Sequence, residues 1–244
     1  MSDISLSDVN KSFVLRDRTV DAVSNFSLTI EDGTFVSVIG PSGCGKSTLL
    51  SIIGGLLKPD SGTVSINRGE KRCGFVFQEP RLLNSCTVKE NMILGMKHIK
   101  SNSARNQVLA DVLELLELTE FINAYPYQLS GGMAQRAALG RALCRQPGIL
   151  LMDEPFSSLD AMLRKKLQNE LVSLYLKKNL TIVFVTHDVS EAVFLGRKVV
   201  IMNDGQLIRQ QKIDLEYPRN TSSPEFISLC DSIMETISYS RYQV

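Results

Sequence analysis

At 244 residues, 43% of them apolar, the chain can bury a core large enough for one large domain or a domain carrying a lobe. Basic residues (27) nearly match acidic ones (26) and the two signs are interspersed, so no basic block marks a nucleic-acid binder. No basic-then-apolar leader opens the sequence and no apolar run approaches the ~18 residues that span a bilayer, so a membrane role falls to a surface contact through a partner.

In chain order, Ile4 and Leu6 alternate with polar residues ahead of Phe13, which predicts an edge strand and a turn. Phe26, Leu28 and Ile30 alternate again before the turn residues Glu31-Asp32-Gly33. Spacing alone favours Phe13 as core, with a flat platform for a nucleotide base as the alternative. Residues 35–39 then form a β-branched apolar run, a buried strand. It leads into Gly40-Pro41-Ser42-Gly43-Cys44-Gly45-Lys46-Ser47-Thr48, and Leu49, Leu50, Ile52, Ile53, Leu56 and Leu57 follow at helical spacing. Strand, glycine-rich loop and helix make the context in which G-x-x-x-x-G-K-[ST] is a phosphate site. Glycines let the loop wrap a phosphate and aim N–H groups inward, and the helix adds its positive dipole end. Lys46 supplies a mobile cation for β- and γ-phosphates and Ser47 a hydroxyl for Mg2+. The chain binds a nucleotide there. Cys44, near a helix N-terminus, is expected to have an acidified thiol. It and Cys73, Cys86, Cys144 and Cys230 lack C-x-x-C spacing, which argues against zinc and disulfides and for a reducing cytosol.

A turn at residues 58–62 leads to a short strand over 64–66, and another buried strand over 74–78 ends in Gln78. From 88 to about 143 the pattern is helical, with Leu109, Val112, Leu113 and Leu116 on one face behind Ser103 as N-cap. Such an insert between strands of an α/β sheet suggests a separate lobe. It ends at Leu129-Ser130-Gly131-Gly132-Met133, followed by a helix over 134–145. Strand character returns at 149–152, ending in Asp153-Glu154-Pro155, and at 181–185, ending in Thr186-His187-Asp188. Between these strands Leu163, Leu167, Leu171 and Leu174 mark an amphipathic helix. A strand over 199–202 precedes the hairpin turn Asn203-Asp204-Gly205, and a polar tail leads to a docking helix over 225–237.

The phosphate loop, Gln78, Asp153-Glu154 and His187 all fall at C-terminal strand ends, the edge of an open parallel sheet where ligands bind. Asp153 suits Mg2+, held directly or through water, and the adjacent Glu154 suits accepting a proton from attacking water. His187 reads as a structural strand end or as a γ-phosphate sensor, with Asp188 and Glu191 capping the next helix either way. Ser130-Gly131-Gly132 is an N-cap with a flexible turn, and physically also a second anion site. One nucleotide does not need two such sites from one chain; a nucleotide sandwiched between two chains does.

These residues together resemble the ATP-binding subunits of ABC transporters, over nearly the whole chain. Residues 40–48 match the family's Walker A, Gln78 its Q-loop, and Leu129-Ser130-Gly131-Gly132-Met133 its signature. Residues 149–154 look like Walker B with the catalytic glutamate Glu154, Ser158-Leu159-Asp160 like the D-loop, and His187 like the switch histidine. Phe13 matches the aromatic A-loop that stacks adenine, which reverses the preference for core. The segments 129–136, 153–160, 186–192 and 222–226 resemble the nitrate/sulfonate/taurine importer branch. Leu83-Asn84-Ser85-Cys86-Thr87 departs from that branch's Pro-Trp-containing segment beside the groove for the membrane subunit. Met133 replaces the Gln of many relatives, as is common in this branch.

The resemblance implies an α/β ABC ATPase fold: a P-loop NTPase core with a mixed sheet, an N-terminal antiparallel β portion and an inserted helical lobe. It divides one domain into a nucleotide-binding core (1–80 and 146–217), a helical lobe with the signature (81–145) and a C-terminal tail and helix (218–244). It implies catalysis by Glu154, His187, Gln78 and Lys46. Nucleotide contacts are implied for Phe13, Gly40 through Thr48, Gln78, Ser130, Gly131, Gly132 and Asp160, and Mg2+ ligation for Ser47, Gln78 and Asp153. ATP and Mg2+ are the implied cofactors. The implied partners are a second copy meeting the first head to tail, transmembrane permease subunits and, indirectly, a solute-binding protein, with no nucleic acid. The implied location is peripheral, on the cytoplasmic face of the cell membrane. An importer of a thiamine-precursor pyrimidine stays open as an alternative, as does an ATP-gated dimer clamp without transport, although such clamps carry long coiled-coil inserts or two fused ATPase units. Glu154 with His187 weighs against a catalytically silent regulatory subunit.

Overall fold

Continuous apolar runs become strands buried on both faces, as parallel sheets require. In the computed structural model, which describes residues 2–16, 18–67 and 72–241, every residue of β3 (Phe35–Ile39), β6 (Ile149–Asp153) and β7 (Thr181–Thr186) is buried. The chain divides into two compact units, residues 1–69 with 179–244 and residues 70–178.

In the first unit β3 lies between β7 and β8 (Lys198–Asn203), parallel to both, and β8 turns back into the antiparallel edge strand β9 (Gln206–Lys212). The mixed sheet and the hairpin after Asn203 are as the sequence predicts. A second, antiparallel sheet has β1 (Ser2–Leu15) between β2 (Arg18–Glu31) and β4 (Ser61–Ile66). Towards its end β2 alternates exposed and buried residues, so Phe26, Leu28 and Ile30 face the core and the residues between them face solvent. The helices of this unit are α1 (Lys46–Ile53), α6 (Val189–Leu195) and α7 (Pro224–Arg241).

The second unit pairs β5 (Cys73–Val76) with β6 in parallel and carries α2 (Val88–Ile93), α3 (Asn102–Leu115), α4 (Gly131–Cys144) and α5 (Ala161–Lys178). Capping explains where the boundaries differ from expectation. Ser101, not Ser103, caps α3, its hydroxyl accepting from the Ala104 N–H at 3.3 Å. The Ser130 hydroxyl likewise accepts from the Met133 N–H at 3.3 Å, which draws Gly131 and Gly132 into the first turn of a helix expected to begin at 134. In α5 the buried positions are Leu167, Leu171, Val172 and Tyr175, so the apolar face is turned slightly from the predicted leucine stripe.

Candidate functional site

The phosphate loop is shaped by what its glycines touch. Gly45 caps α1 at φ 100°, and a Cβ there would lie 1.8 Å from the Ala22 carbonyl oxygen. A Cβ on Gly40 would lie 2.0 Å from the Met202 carbonyl oxygen. The Gly205 N–H donates to the Cys44 carbonyl at 3.1 Å, so β2 and the β8–β9 turn brace the loop from both sides. Lys46 is only 6% exposed, and its ammonium donates to the carbonyls of Gly40 and Pro41, both at 2.8 Å. The side chain is thus folded over the loop, where an anion can take over its hydrogen bonds. Ser42, Gly43 and Ser47 are exposed.

Cys44 corrects the sequence reading. Its thiol is buried and burial pushes its pKa up, with the nearby Lys46 charge only partly opposing. Desolvation of a thiolate there outweighs the favourable N–H groups and Lys46 charge beside it.

Two further first-unit residues join the loop. Ile39 pairs with Thr186 in parallel register, so the chain leaves β3 as Gly40 and leaves β7 as His187 at the same sheet edge. His187 is exposed on a firmly held turn. The Asp188 N–H donates to the Thr186 hydroxyl at 3.1 Å, the Thr186 hydroxyl donates to Glu191, and the Glu191 N–H donates to Asp188 at 3.1 Å. Asp188 caps α6 as expected, but the Glu191 carboxylate serves Thr186, a partner that the capping pattern alone does not reveal. Phe13 is 39% exposed and pairs with Val20, two positions along β2 from the Ala22 carbonyl that packs on Gly45. An aromatic face therefore stands open a short step from the loop, as a base platform requires.

The second unit gathers another set. Val76 pairs with Met152, so Gln78 and Glu154 emerge at matching positions from β5 and β6. Asp153 is buried at the end of β6. Glu154 adopts φ 43°, a left-handed backbone uncommon for a non-glycine residue, and its carbonyl accepts from the Ser157 hydroxyl at 3.0 Å. Gln135 of α4 donates from Nε2 to the Phe77 carbonyl at 3.0 Å, tethering the helix that begins at Ser130 to the residue before Gln78. The sequence reading passed over Gln135, whose one signal was a polar side chain on the buried face of its helix. A Cβ on Gly132 would meet Leu159 at 3.3 Å and the Ser158 carbonyl at 3.4 Å, so the start of α4 abuts the 158–160 loop. Asp160 caps α5 by accepting from the Leu163 N–H at 3.0 Å.

Comparison with known proteins is decisive about kinship. The sequence pattern of the ABC transporter family matches residues 23–157. The aliphatic sulfonates import ATP-binding protein SsuB of Bacillus subtilis (strain 168) is 40% identical over 238 residues, 95% of this chain and 92% of that protein. An uncharacterized ABC transporter ATP-binding protein of Methanocaldococcus jannaschii is 40% identical over 243 residues, 96% of this chain and 91% of that one. Among solved structures, the dimeric bacterial ABC transporter cassette MJ0796 superposes with a TM-score of 0.82 at 35% identity, covering 87% of this chain and all of that one. A post-hydrolysis dimer of the same cassette, bound to ADP and Pi, gives 0.80 at 34% identity, with 87% of this chain and 100% of that one covered. The chain therefore belongs to the ABC transporter family and is one of its ATP-hydrolysing cassettes.

Proposed function

We propose that two copies of this chain close head to tail around two ATP molecules and so drive a permease importing alkanesulfonates or related small anions. One observation carries the dimer reading: apart from its chain neighbours and its own helix backbone, Gly131 has no atom of the described residues within 4 Å of where its Cβ would be. Even in the first turn of a helix, glycine is no better than alanine and up to about 0.5 kcal/mol worse. Among the described residues nothing calls for it, whereas close approach of a phosphate from outside does. MJ0796 was solved as a dimer, which supports the same reading.

Phe13 stacks the adenine, and Gly40 through Thr48 wrap the phosphates with Lys46 turned toward the β- and γ-oxygens. Ser130, Gly131 and Gly132 of the opposing copy offer a hydroxyl and bare N–H groups to the γ-phosphate, with Asp160 in the adjoining loop. Ser47, Gln78 and Asp153 are all oxygen donors, the set that Mg2+ takes together with phosphate oxygens. The ion would neutralise charge that spreads over the transferring phosphoryl group. Glu154 accepts a proton from the attacking water, and His187 senses the γ-phosphate. Hydrolysis removes the group that bridges the copies, and the dimer reopens.

Among the described residues no helix is long and apolar enough to cross a membrane. The permease would instead be met at the cytoplasmic face of the membrane. A groove lined by Leu109, Ala110, Leu113 and Ile122 between α3 and the start of α2 suits a short permease helix, and Leu83 is exposed in the loop after Gln78. A solute-binding protein would deliver the cargo. The sulfonate assignment is supported by the import role named for the Bacillus relatives.

The central test is Glu154→Gln. ATP turnover is expected to fall ~100-fold or more, the scale of losing a general base, while ATP binding persists. Light scattering should then find ATP-dependent dimers. Near-normal turnover would remove Glu154 as the base, and a monomer at saturating ATP would remove the sandwich. For cargo, vesicles holding this chain and its permease should take up a labelled alkanesulfonate only with ATP; uptake of a pyrimidine instead would redirect the assignment.

A further inference from the structure

Phe13 pairs with Val20 in an unbroken run from Ser12 to Leu15, but this end of β1 is paired on the β2 side alone, because the ladder with β4 ends at Asn10. The register of β1 against β2 shifts between Val9 and Lys11 and again between Lys11 and Ser12, and its register against β4 shifts between Ser7 and Asn10. Ladder hydrogen bonds are interrupted at such shifts, so the hairpin end that carries Phe13 is joined to the rest of the sheet through an irregular stretch and gains from other ties there.

Side chains supply those ties, and they converge on Asp60. This residue lies in the turn after α1, the helix that begins at Lys46, and immediately before β4. One carboxylate oxygen accepts from the Ser12 N–H at 2.7 Å, directly before Phe13, and the other accepts from the Lys11 ammonium. The Asp60 N–H donates to the Asn10 carbonyl at 2.8 Å. Asn10 in turn donates to the Ser61 hydroxyl at 3.1 Å and accepts from the Asn25 N–H at 2.8 Å, and the Ser12 hydroxyl donates to Asp21 at 2.7 Å. The Lys11 ammonium, so held, lies 5.7 Å from the centroid of the Phe13 ring. The Lys11 side chain is 15% exposed against 47% for Asp60, so the lysine stem is packed while the carboxylate reaches it from the solvent side. The Lys11 and Ser12 hydrogen bonds hold the Asp60 carboxyl below the usual carboxylate range.

We propose that Asp60 and Lys11 are a positioning pair for the nucleotide base. Asp60 fixes the Phe13 backbone at a set spacing from the phosphate loop, and the Lys11 ammonium closes one face of the ring, leaving the other for the base. The pair ties the two ends of one nucleotide together, because Asp60 follows the helix that starts in the phosphate loop and grips the strand that bears the platform. This rests on the reading of Phe13 as the adenine platform. A mispositioned ring loses stacking area but touches no reacting atom. The pair therefore governs ATP affinity and KM, not the chemical step.

The test compares ATP with inorganic tripolyphosphate, which presents phosphates and no base, on the full chain. Lys11→Met and Asp60→Asn should each raise the Kd and KM for ATP roughly three- to ten-fold, part of the loss expected on removing an aromatic–base stack. Saturated kcat and the tripolyphosphate affinity should stay at their original values, and Lys11→Arg and Asp60→Glu should recover most of the ATP affinity. Parallel weakening of ATP and tripolyphosphate would overturn the proposal, since the pair would then merely support the fold. Phe13→Ala separates the two levels. If it weakens ATP about ten-fold or more while Lys11→Met and Asp60→Asn bind ATP normally, the positioning pair fails and the platform stands. If Phe13→Ala leaves ATP affinity unchanged, the platform reading falls and the proposal with it.

Discussion

Two glycine-containing helix starts carry the proposed chemistry, and they differ in what their glycines touch. At α1, Gly45 sits at φ 100°, and both it and Gly40 press on backbone carbonyls of neighbouring strands, leaving no room for a Cβ. At α4, Ser130 has an ordinary extended cap geometry, Gly131 faces open space, and Gly132 meets only Leu159 and Ser158 at contact distances. Both ends offer free N–H groups and a positive dipole. The first is finished within its own unit, because strands on either side dictate its shape. Gly43 of the phosphate loop also faces open space, but Gly40 and Gly45 there are pressed on carbonyls, whereas neither Gly131 nor Gly132 meets another backbone closer than 3.4 Å, as suits a surface completed by something arriving from outside. Stability and activity should therefore respond in opposite proportions at the two places.

The largest effect is expected at Gly45→Ala. A methyl group 1.8 Å from the Ala22 oxygen, on a backbone at φ 100°, cannot be relieved by a side-chain shift. The loop must deform, at a cost of roughly 3 kcal/mol or more. Urea unfolding should show that loss, and ATP binding should disappear with it. A stable Gly45→Ala chain that still binds ATP would mean the loop is less firmly built than the carbonyl contacts require. Ser130→Ala comes next. Removing the hydroxyl that accepts from the Met133 N–H should cost about 1 kcal/mol of stability, as for other N-caps. Turnover should fall by more than that loss explains, because the same hydroxyl is assigned to the γ-phosphate. Equal, small losses in both measurements would reduce Ser130 to a cap.

The same contrast governs what could be read without coordinates. The phosphate loop was legible because its parts are contiguous: a buried strand, nine loop residues and a helix face need no partner to be recognised. The strand ends at Asp153 and before His187 were legible because β6 and β7, buried throughout, are unbroken apolar runs, whereas β5 is only partly buried and stops at Val76, two residues before Gln78. Ties that span the chain were not. The Asp60 bond to the Ser12 N–H joins residues far apart in sequence, and nothing in Lys58-Pro59-Asp60-Ser61 separates a turn aspartate from one gripping another strand. Arg219 is a similar case: buried, it donates to the carbonyls of Phe194 and Gly196 at 3.2 and 2.7 Å, capping α6 from a segment that reads as polar tail. Asn91 is another, since its amide holds the 83–87 loop through the Leu83 N–H at 2.9 Å and the Cys86 carbonyl at 3.0 Å. Phe13 could not be placed by alternation because the bulges in β1 break the period on which alternation depends. Cys44 was misread because a helix N-terminus is visible in sequence and burial is not.

Gly131→Ala has the smallest expected effect on the fold and separates the two helix starts most cleanly. Among the described residues nothing beyond the neighbouring backbone lies within 4 Å of the added methyl group, and the residue is already helical, so no strain is introduced. Alanine restricts the unfolded chain and favours the helix, which should leave stability unchanged or raise it by about 0.5 kcal/mol. Monomer ATP affinity should also hold, because the phosphate loop is untouched. Turnover should nevertheless drop, since a methyl group now stands where a phosphate must approach bare backbone, and the ATP-dependent dimer of the Glu154→Gln chain should be lost when Gly131→Ala is added. A loss confined to the assembled state cannot come from a damaged fold. If instead Gly131→Ala is as active as the parent and still dimerises, the open space at α4 has no ligand to admit. The bareness of that helix start would then be an ordinary feature of an exposed turn.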